Sequence, residues 1–532
     1  MKRHIHEVSV SQIEWSLAQA QATLPPEAFR ILDIVARAYL SLVQLLEAGR
    51  TTIKRLQRML FGPTSEKTEQ VLAGKEERKT RALKKPKRRP PPGHGRNGEA
   101  DYWGAKTVKV PHQKLKPKDR CPGCRKGSLH DQRQEPGVLV RVRGQAPLTA
   151  TVWHLQKLRC GTCGEIFEAK PPPEVGKGKY DATAASTIAL LKYGSGLPFN
   201  RLDKLQESVG IPVPASTQWE IVSSAAKKLE PVHEELTRQG AQGQVLHNDD
   251  TPMKILARMG KRRERRQGKD ADPERTGIFT SGVVSKVGTY LIALFFTGIR
   301  HAGENLKAVL ELRRRGLGLP IQMCDALSRN VPKQLKTILA HCLAHGRRKF
   351  IDVFTKFPGE CEYVLKVLKA VYWNDEIAKK RGMTPAERLR FHRKKSGPGM
   401  QKLRSWMAEQ IREKKVEENS GLGEAIGYML KHWDKLTLFL RQPGAPLDNN
   451  IVERALKKAI LHRKNSLFYK TDNGAHVGDV FMSLIHTCEL NGVDAFDYLT
   501  QLLQHAKEVR ARPDRWMPWN YPRSRAAAQQ AA

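Results

Sequence analysis

Between Pro26 and Pro63 apolar residues recur in alternating steps of three and four, at Leu32, Val35, Tyr39, Leu42, Leu46, Ile53, Leu56 and Leu60, and only Gly49 breaks the series. This pattern predicts a long amphipathic helix whose seam either joins two copies as a coiled coil or packs on its own chain. The pattern stops from Lys75 to Arg96, a Lys/Arg-rich stretch holding Pro86, Pro90, Pro91 and Pro92, which reads as a solvated linker able to touch phosphates. Short alternating runs, Val138-Leu139-Val140 and Ala150-Thr151-Val152-Trp153, then predict a small β-rich module. From Ala182 to about Gln239 the period is helical again, with breaks at Gly194-Ser195-Gly196-Leu197-Pro198 and Gly210-Ile211-Pro212-Val213-Pro214. A helix, a Gly/Pro turn and a second helix opened by Ser216 as N-cap predict a helix-turn-helix, a shape used with and without DNA.

Strand signals follow at Gln244 to His247, Gly277 to Val287 and Thr289 to Phe296, the last two forming a hairpin about Gly288. A helix is expected from Asn305 to Arg315, a strand from Leu319 to Cys324 and a helix from Val331 to His341. Together they predict an α/β core with a mixed sheet. From Pro358 to Arg441 the text is almost all helical and charged, an insertion carried on that core. The fold class is therefore multidomain α/β. Its expected segments are an N-terminal helical or coiled-coil segment (1–70), a basic linker (71–115), the β-rich module (116–170), a helical segment (171–240), the core in two parts (241–357 and 442–475) around the insertion (358–441), and a C-terminal helical segment (476–532).

Composition narrows the class of partner. Lys and Arg number 93 against 54 Asp and Glu in 532 residues, a net charge of +39, and the pI is near 10.0. A polyanion such as DNA is the expected partner. No apolar run approaches the roughly 18–20 residues of a membrane span, and no signal-peptide core follows Met1-Lys2-Arg3-His4. A cytoplasmic, nucleoid-associated protein with no membrane contact is expected. Of 8 cysteines, four fall in two Cys-x2-Cys pairs, Cys121/Cys124 and Cys160/Cys163, separated by 35 residues. Four thiolates satisfy one tetrahedral structural zinc and leave no open position; a redox pair is the competing reading.

Carboxylates carry the sharper chemistry. Asp249 ends the first core strand beside Asp250, Asp325 ends the later strand, and Glu453 follows Asp448-Asn449-Asn450 at the start of a helix after the insertion. Three acids brought together repel one another unless cations lie between them, and oxygen-only donors suit magnesium or manganese. Two such ions about 4 Å apart serve phosphodiester chemistry. Each acid taken alone reads equally as a cap or a surface group. Basic runs lie close by in sequence: Arg347, Arg348 and Lys349, then Arg454, Arg463 and Lys464, each a DNA-binding candidate or a solvated helix face.

At these residues the chain resembles transposases of the insertion-sequence 66 family. The likeness rests on His247-Asn248-Asp249-Asp250-Thr251-Pro252, Cys342-Leu343-Ala344-His345-Gly346-Arg347-Arg348-Lys349-Phe350, Leu447-Asp448-Asn449-Asn450-Ile451-Val452-Glu453-Arg454 and His462-Arg463-Lys464-Asn465-Ser466-Leu467-Phe468. It begins at Leu60-Phe61-Gly62 with Ser65-Glu66-Lys67 and runs on to Asn491-Gly492-Val493-Asp494 and Tyr498-Leu499. The resemblance implies a ribonuclease-H-like core with an Asp, Asp, Glu triad of Asp249, Asp325 and Glu453. It further implies cutting and joining of DNA ends with two magnesium (or manganese) ions. The paired cysteines sit where the family has its zinc-binding domain. Asp250 competes with Asp249 as the first acid, and Asp325 stands in Met323-Cys324-Asp325-Ala326-Leu327-Ser328, where the family more often has Gly and Tyr after the acid. The expected function is a DNA transposase acting on terminal repeats and target DNA, as a homo-oligomer and with accessory proteins of the same element. Two rivals use the same parts: a non-catalytic zinc-containing DNA-binding regulator, and a nuclease without strand transfer.

Overall fold

The computed structural model describes residues 10–47, 147–159, 166–168, 178–260 and 277–531, with single positions between them. They divide into two compact units, one made of Met1–Lys79, Pro172–Asp203 and Val213–Ala532, the other of Thr80–Pro171 and Lys204–Pro212.

In the larger unit α1 (Val10–Thr23) is followed by α2 (Pro26–Glu47). Pro26 opens α2, where its missing N–H costs no hydrogen bond. Trp15, Ile31 and Val35 are 67%, 66% and 60% exposed, so within one chain this pair of helices leaves apolar side chains wet. The seam positions Ile53, Leu56 and Leu60 lie outside the described residues. So do the linker 71–115 and Cys121, Cys124, Cys160 and Cys163. In the smaller unit β1 (Lys157–Arg159) and β2 (Ile166–Glu168) pair antiparallel, Lys157 opposite Glu168, and in sequence they flank the second cysteine pair.

Three helices lead into the sheet. Asp181 caps α3 (Ala182–Ala189), accepting from the Ala184 N–H at 2.9 Å, and the chain passes through a π-turn, Leu190–Gly194, into α4 (Phe199–Ser208) and α5 (Ala215–Gly240). The second helix of this helix–turn–helix starts at Ala215, not behind a Ser216 cap. Asp203, from α4, accepts from the Ala215 N–H (3.2 Å), which leaves the serine no capping task. Gln218 locks the turn by donating to the carbonyls of Phe199 (3.1 Å) and Val213 (2.7 Å).

The sheet contains β3 (Val245–Pro252), β4 (Phe279–Val287), β5 (Tyr290–Gly298), β6 (Ile321–Cys324) and β7 (Ile338–His341), in the order β5-β4-β3-β6-β7. The first three run antiparallel through a tight hairpin at Gly288 (φ +59°), a backbone angle that glycine adopts without strain. β6 and β7 run parallel to β3, connected through α6 (Ala302–Glu311). The helix expected from Val331 to His341 is absent. Pro332 interrupts its start, and Ile338–His341 instead pairs with β6, where Ala340 and His341 are buried.

β5 is an edge strand, and a helix covers it in an unusual way. Along α13 (Asp472–Leu490) and just past its end, Asp479, Ser483, Thr487 and Asn491 recur at every fourth position. Their side-chain oxygens accept from the backbone N–H groups of Thr297 (2.6 Å), Phe295 (3.0 Å), Ala293 (3.0 Å) and Leu291 (3.1 Å). One polar stripe on a helix thus satisfies alternate residues of an edge that would otherwise invite another strand.

The insertion shares the core of the sheet. It comprises α8 (Pro358–Lys380), α9 (Pro385–Lys395), α10 (Gly397–Arg412) and α11 (Gly421–Lys431), preceded by α7 (Leu343–Val353) and followed by α12 (Asn450–Ser466). Leu365, Met400, Ile426 and Phe439 belong to one buried cluster with Val245, Ile321 and Ala340 of the strands. At Gly346 on α7 a Cβ would lie 2.5 Å from the Met429 sulfur, so glycine lets α11 approach this closely. No helix among the described residues is long and apolar enough to cross a membrane.

Candidate active site

The parallel pairing of β3 with β6 ends at His247 opposite Met323. Two positions further along each strand stand Asp249 and Asp325. Side chains two apart share a face, so the pairing register brings both acids to one level, where parallel strands part at their carboxyl ends and open a crevice.

Asn330, fully buried, joins them. Its amide donates to Asp325 Oδ1 at 2.5 Å and to Asp249 Oδ1 at 3.3 Å. Its own carbonyl accepts from the side chains of Asn248 and Gln322, both at 2.8 Å, which fixes the loop that carries it. Burial pushes the Asp249 carboxyl up to about 7, and the charges of Asp325, Asp250 and Glu453 push it the same way, against a backbone hydrogen bond from Asp250. Among the described residues no Lys or Arg pairs with Asp249 or Asp325.

Asp250 faces other partners. Its oxygens lie 3.1 Å from His301 Nδ1 and 3.2 Å from the Arg329 guanidinium, and both partners pack on the Phe279 ring. The alternation of the strand thus sends Asp249 toward Asp325 and Asp250 into an ion pair with the loop next to Asn330.

Glu453 stands in the first turn of α12. Two devices place it. Asn449 accepts from His247 Nδ1 (3.1 Å) and donates to the Asn248 carbonyl (3.1 Å), strapping the helix start to β3. Burial drives His247 down to about 4, so the ring is neutral and carries its proton on the nitrogen that meets Asn449. Glu453 follows one turn after Asn449, on the same side of the helix. The second device is Gly282, directly across from Asp249 in β4. A Cβ there would lie 3.0 Å from Leu456 and 3.1 Å from Val452, so the glycine lets α12 lie against the sheet.

The basic residues flank this crevice unevenly. Arg454 and Lys464 are exposed on α12, and Arg347, Arg348 and Lys349 are half-buried on α7. Lys349 Nζ stands 4.6 Å from the Tyr428 ring centre, and Arg347 donates to Thr68 at 2.9 Å. Arg463 donates inward, to Thr251 Oγ1 (3.1 Å) and the Pro252 carbonyl, tying α12 to the end of β3. The sequence assigns no role to Asn330 or Asn449 and reads His345 only as the start of a basic run, whereas its Nε2 lies 4.0 Å from Glu453 Oε1. Asn449 had a visible signal, its place between Asp448 and Glu453; Asn330 had none.

The donor set suits hard divalent ions. It consists of carboxylate oxygens alone, one of them, Glu453 Oε1, buried without a hydrogen-bond partner, and a neutral amide is the donor that bridges Asp249 and Asp325. Residues 177–477, more than half of the chain, match the family described as Transposase IS66 family. The uncharacterized protein y4hP of Sinorhizobium fredii (strain NBRC 101917 / NGR234) is 26% identical over 402 residues, which cover 70% of this chain and 68% of that one. Protein y4jD of the same strain, also uncharacterized, is 33% identical over 188 residues, covering 34% of this chain and 36% of its own length.

Proposed function

Since the chain belongs to the IS66 family of transposases, we propose that it cuts and joins the DNA ends of a mobile element in the crevice of Asp249, Asp325 and Glu453, within a ribonuclease-H-like core. Membership of the family implies DNA as partner and a divalent metal as helper. One observation carries the finer reading. Asp249 on β3, Asp325 just past β6 and Glu453 on α12 are 76 and 128 positions apart along the chain, yet the charges of Asp325 and Glu453 reach Asp249, which burial first and these neighbours next shift up to about 7. Holding like charges together is costly, and such a cost is typical of a functional site.

Asp249, Asp325 and Glu453 would hold two magnesium or manganese ions, which when bound supply an activated water or 3′-hydroxyl and neutralise the phosphodiester. The protein's own groups do the positioning. Asn330 keeps Asp249 and Asp325 at a shared donor, Asn449 holds Glu453 against β3, and the ion pair with Arg329 and the contact with His301 keep Asp250 apart. Arg347, Arg348, Lys349, Arg454 and Lys464 bind phosphates along the crevice, and Arg463 adds the tie that keeps α12 in place. Water attacks the phosphodiester at the element's end, and the freed 3′-hydroxyl then attacks target DNA. The wet apolar faces of α1 and α2 join copies of the chain through the N-terminal seam, so that two ends are held together. Cys121, Cys124, Cys160 and Cys163 hold one structural zinc in the module built on β1 and β2.

Incubating the purified chain with DNA carrying the element's own ends, with and without magnesium, tests this. Metal-dependent nicking and joined products are expected. Binding of those ends with no cleavage in any divalent metal would leave a DNA-binding regulator.

A further inference from the structure

The triad does not include Cys342 and His345, a Cys-x2-His pair at the start of α7, and Cys342 Sγ accepts from the Asn449 N–H at 3.2 Å. Cys342 is fully buried at the N-cap, and His345 stands in the first turn, facing Glu453. The ligand atoms of Cys342, His345 and Glu453 all lie within 4.8 Å of one another. His345 Nε2 and Glu453 Oε1 are 4.0 Å apart, too far for a hydrogen bond. Yet Glu453 Oε1 is buried with no hydrogen-bond partner, as is the other ring nitrogen, His345 Nδ1. A polar oxygen buried without a partner is unfavourable, so something is expected to use it. Two ligands at roughly 2.0–2.2 Å from one tetrahedral ion stand about 3.4 Å apart, so a small closure suffices.

The chemistry of these donors differs from that of the acid pair. Thiolate, imidazole and carboxylate together suit zinc or cobalt, whereas Asp249 and Asp325 offer only hard oxygens. Three protein ligands with a free fourth position are a common zinc arrangement.

We propose that Cys342, His345 and Glu453 form a binding site for a zinc-class ion, and that occupying it silences the enzyme by taking Glu453 away from Asp249 and Asp325. The Cys342 thiol releases its proton to solvent as the ion binds. Glu453 is the shared member, so the two metal arrangements exclude each other. The silencing half rests on the proposed function; the binding half does not.

The test titrates the full-length protein with cobalt, following the thiolate-to-cobalt absorption band and the number of ions bound. The cysteine pairs at 121–124 and 160–163 contribute to that band, so the informative quantity is the difference between wild type and Cys342→Ser, with His345→Ala as a second variant. Wild type should bind one ion more than either variant, or bind that ion at least ~10–100-fold more tightly, the loss that even outer-shell partners produce. Equal stoichiometry, affinity and spectrum in all three proteins would overturn the site. Zinc is then added to the magnesium-supported cleavage reaction, each protein scored against its own rate without zinc. Wild type should be inhibited and Cys342→Ser should resist by the same factor as its loss of binding. Lost cobalt binding with unchanged zinc inhibition would overturn the silencing role. If no protein cleaves DNA, the proposed function fails while the cobalt result still decides the site.

Discussion

Replacing Asn330 by leucine keeps the branched four-heavy-atom shape, with somewhat greater bulk, and removes the one donor that Asp249 and Asp325 share. The amide gives a 2.5 Å hydrogen bond to Asp325 and a 3.3 Å one to Asp249, in a fully buried position. A hydrogen bond to a charged group contributes about 1.5–3 kcal/mol and a neutral one about 1. The long bond goes to a carboxyl that burial moves up to about 7, so it belongs near the neutral value. The two together amount to ~2.5–4 kcal/mol in the metal-free protein. The backbone carbonyl of residue 330 still accepts from Asn248 and Gln322, so the loop itself stays anchored. With magnesium bound, the acids have another source of positive charge, and the deficit should shrink. Urea melts of wild type and Asn330→Leu, with and without saturating magnesium, read this directly. Cleavage should fall as well, by about 100-fold, the usual effect of a misplacement near 1 Å. An equal loss of stability in both conditions, or none in either, would refute the idea that Asn330 stands in for a cation.

Other outcomes follow from the same geometry. Gly282→Val pushes a side chain into Leu456 and Val452; stability should drop by ~1–3 kcal/mol and cleavage by more than stability explains, because α12 carries Glu453, as paired melts and cleavage assays would reveal. Asp479 lies buried on α13, and burial pushes its carboxyl up to about 7, above its value in the unfolded chain. A raised carboxyl favours the fold only while protonated, so wild-type stability should decline from about pH 4 to pH 7 and then level off. Asp479→Asn should reduce that decline in denaturation curves taken across pH, leaving the share that Asp249 contributes. Protein purified without chelator should hold about one zinc in its cysteine module, and Cys160→Ser should lose it while the core still melts normally.

Much of the arrangement is legible in the sequence. The apolar and β-branched runs at Gly277 to Val287 and Thr289 to Phe296, broken by Gly288, mark the β4–β5 hairpin, and both strands are buried through their middles. Asp249 and Asp325 each read alone as a cap or a surface group, and it is the resemblance of the surrounding blocks that singles them out. Ile338–His341 could not be assigned, since a four-residue apolar run fits a helix as well as a strand and only the β6 edge decides. Asn330 was illegible for a different reason. Its place depends on Asn248 and Gln322, side chains from two strands that meet it in space alone. The stripe of Asp479, Ser483, Thr487 and Asn491 has a helical period but a polar character, which suggests solvent until β5 supplies the partners.

The central claim is that Asp249, Asp325 and Glu453 act as one metal-dependent unit on DNA. The most direct measurement compares Asp249→Ala, Asp325→Ala, Glu453→Ala and the triple variant in joining of element ends, with end binding measured in parallel and Asp250→Asn as control. Each single change should cost on the order of 10³-fold or more, nearly as much as all three, because residues that act as a unit are not additive. Affinity for the ends should change little, since the phosphate-binding residues remain, and Asp250→Asn should still join. An Asp325→Ala protein that joins ends at the normal rate would contradict the account.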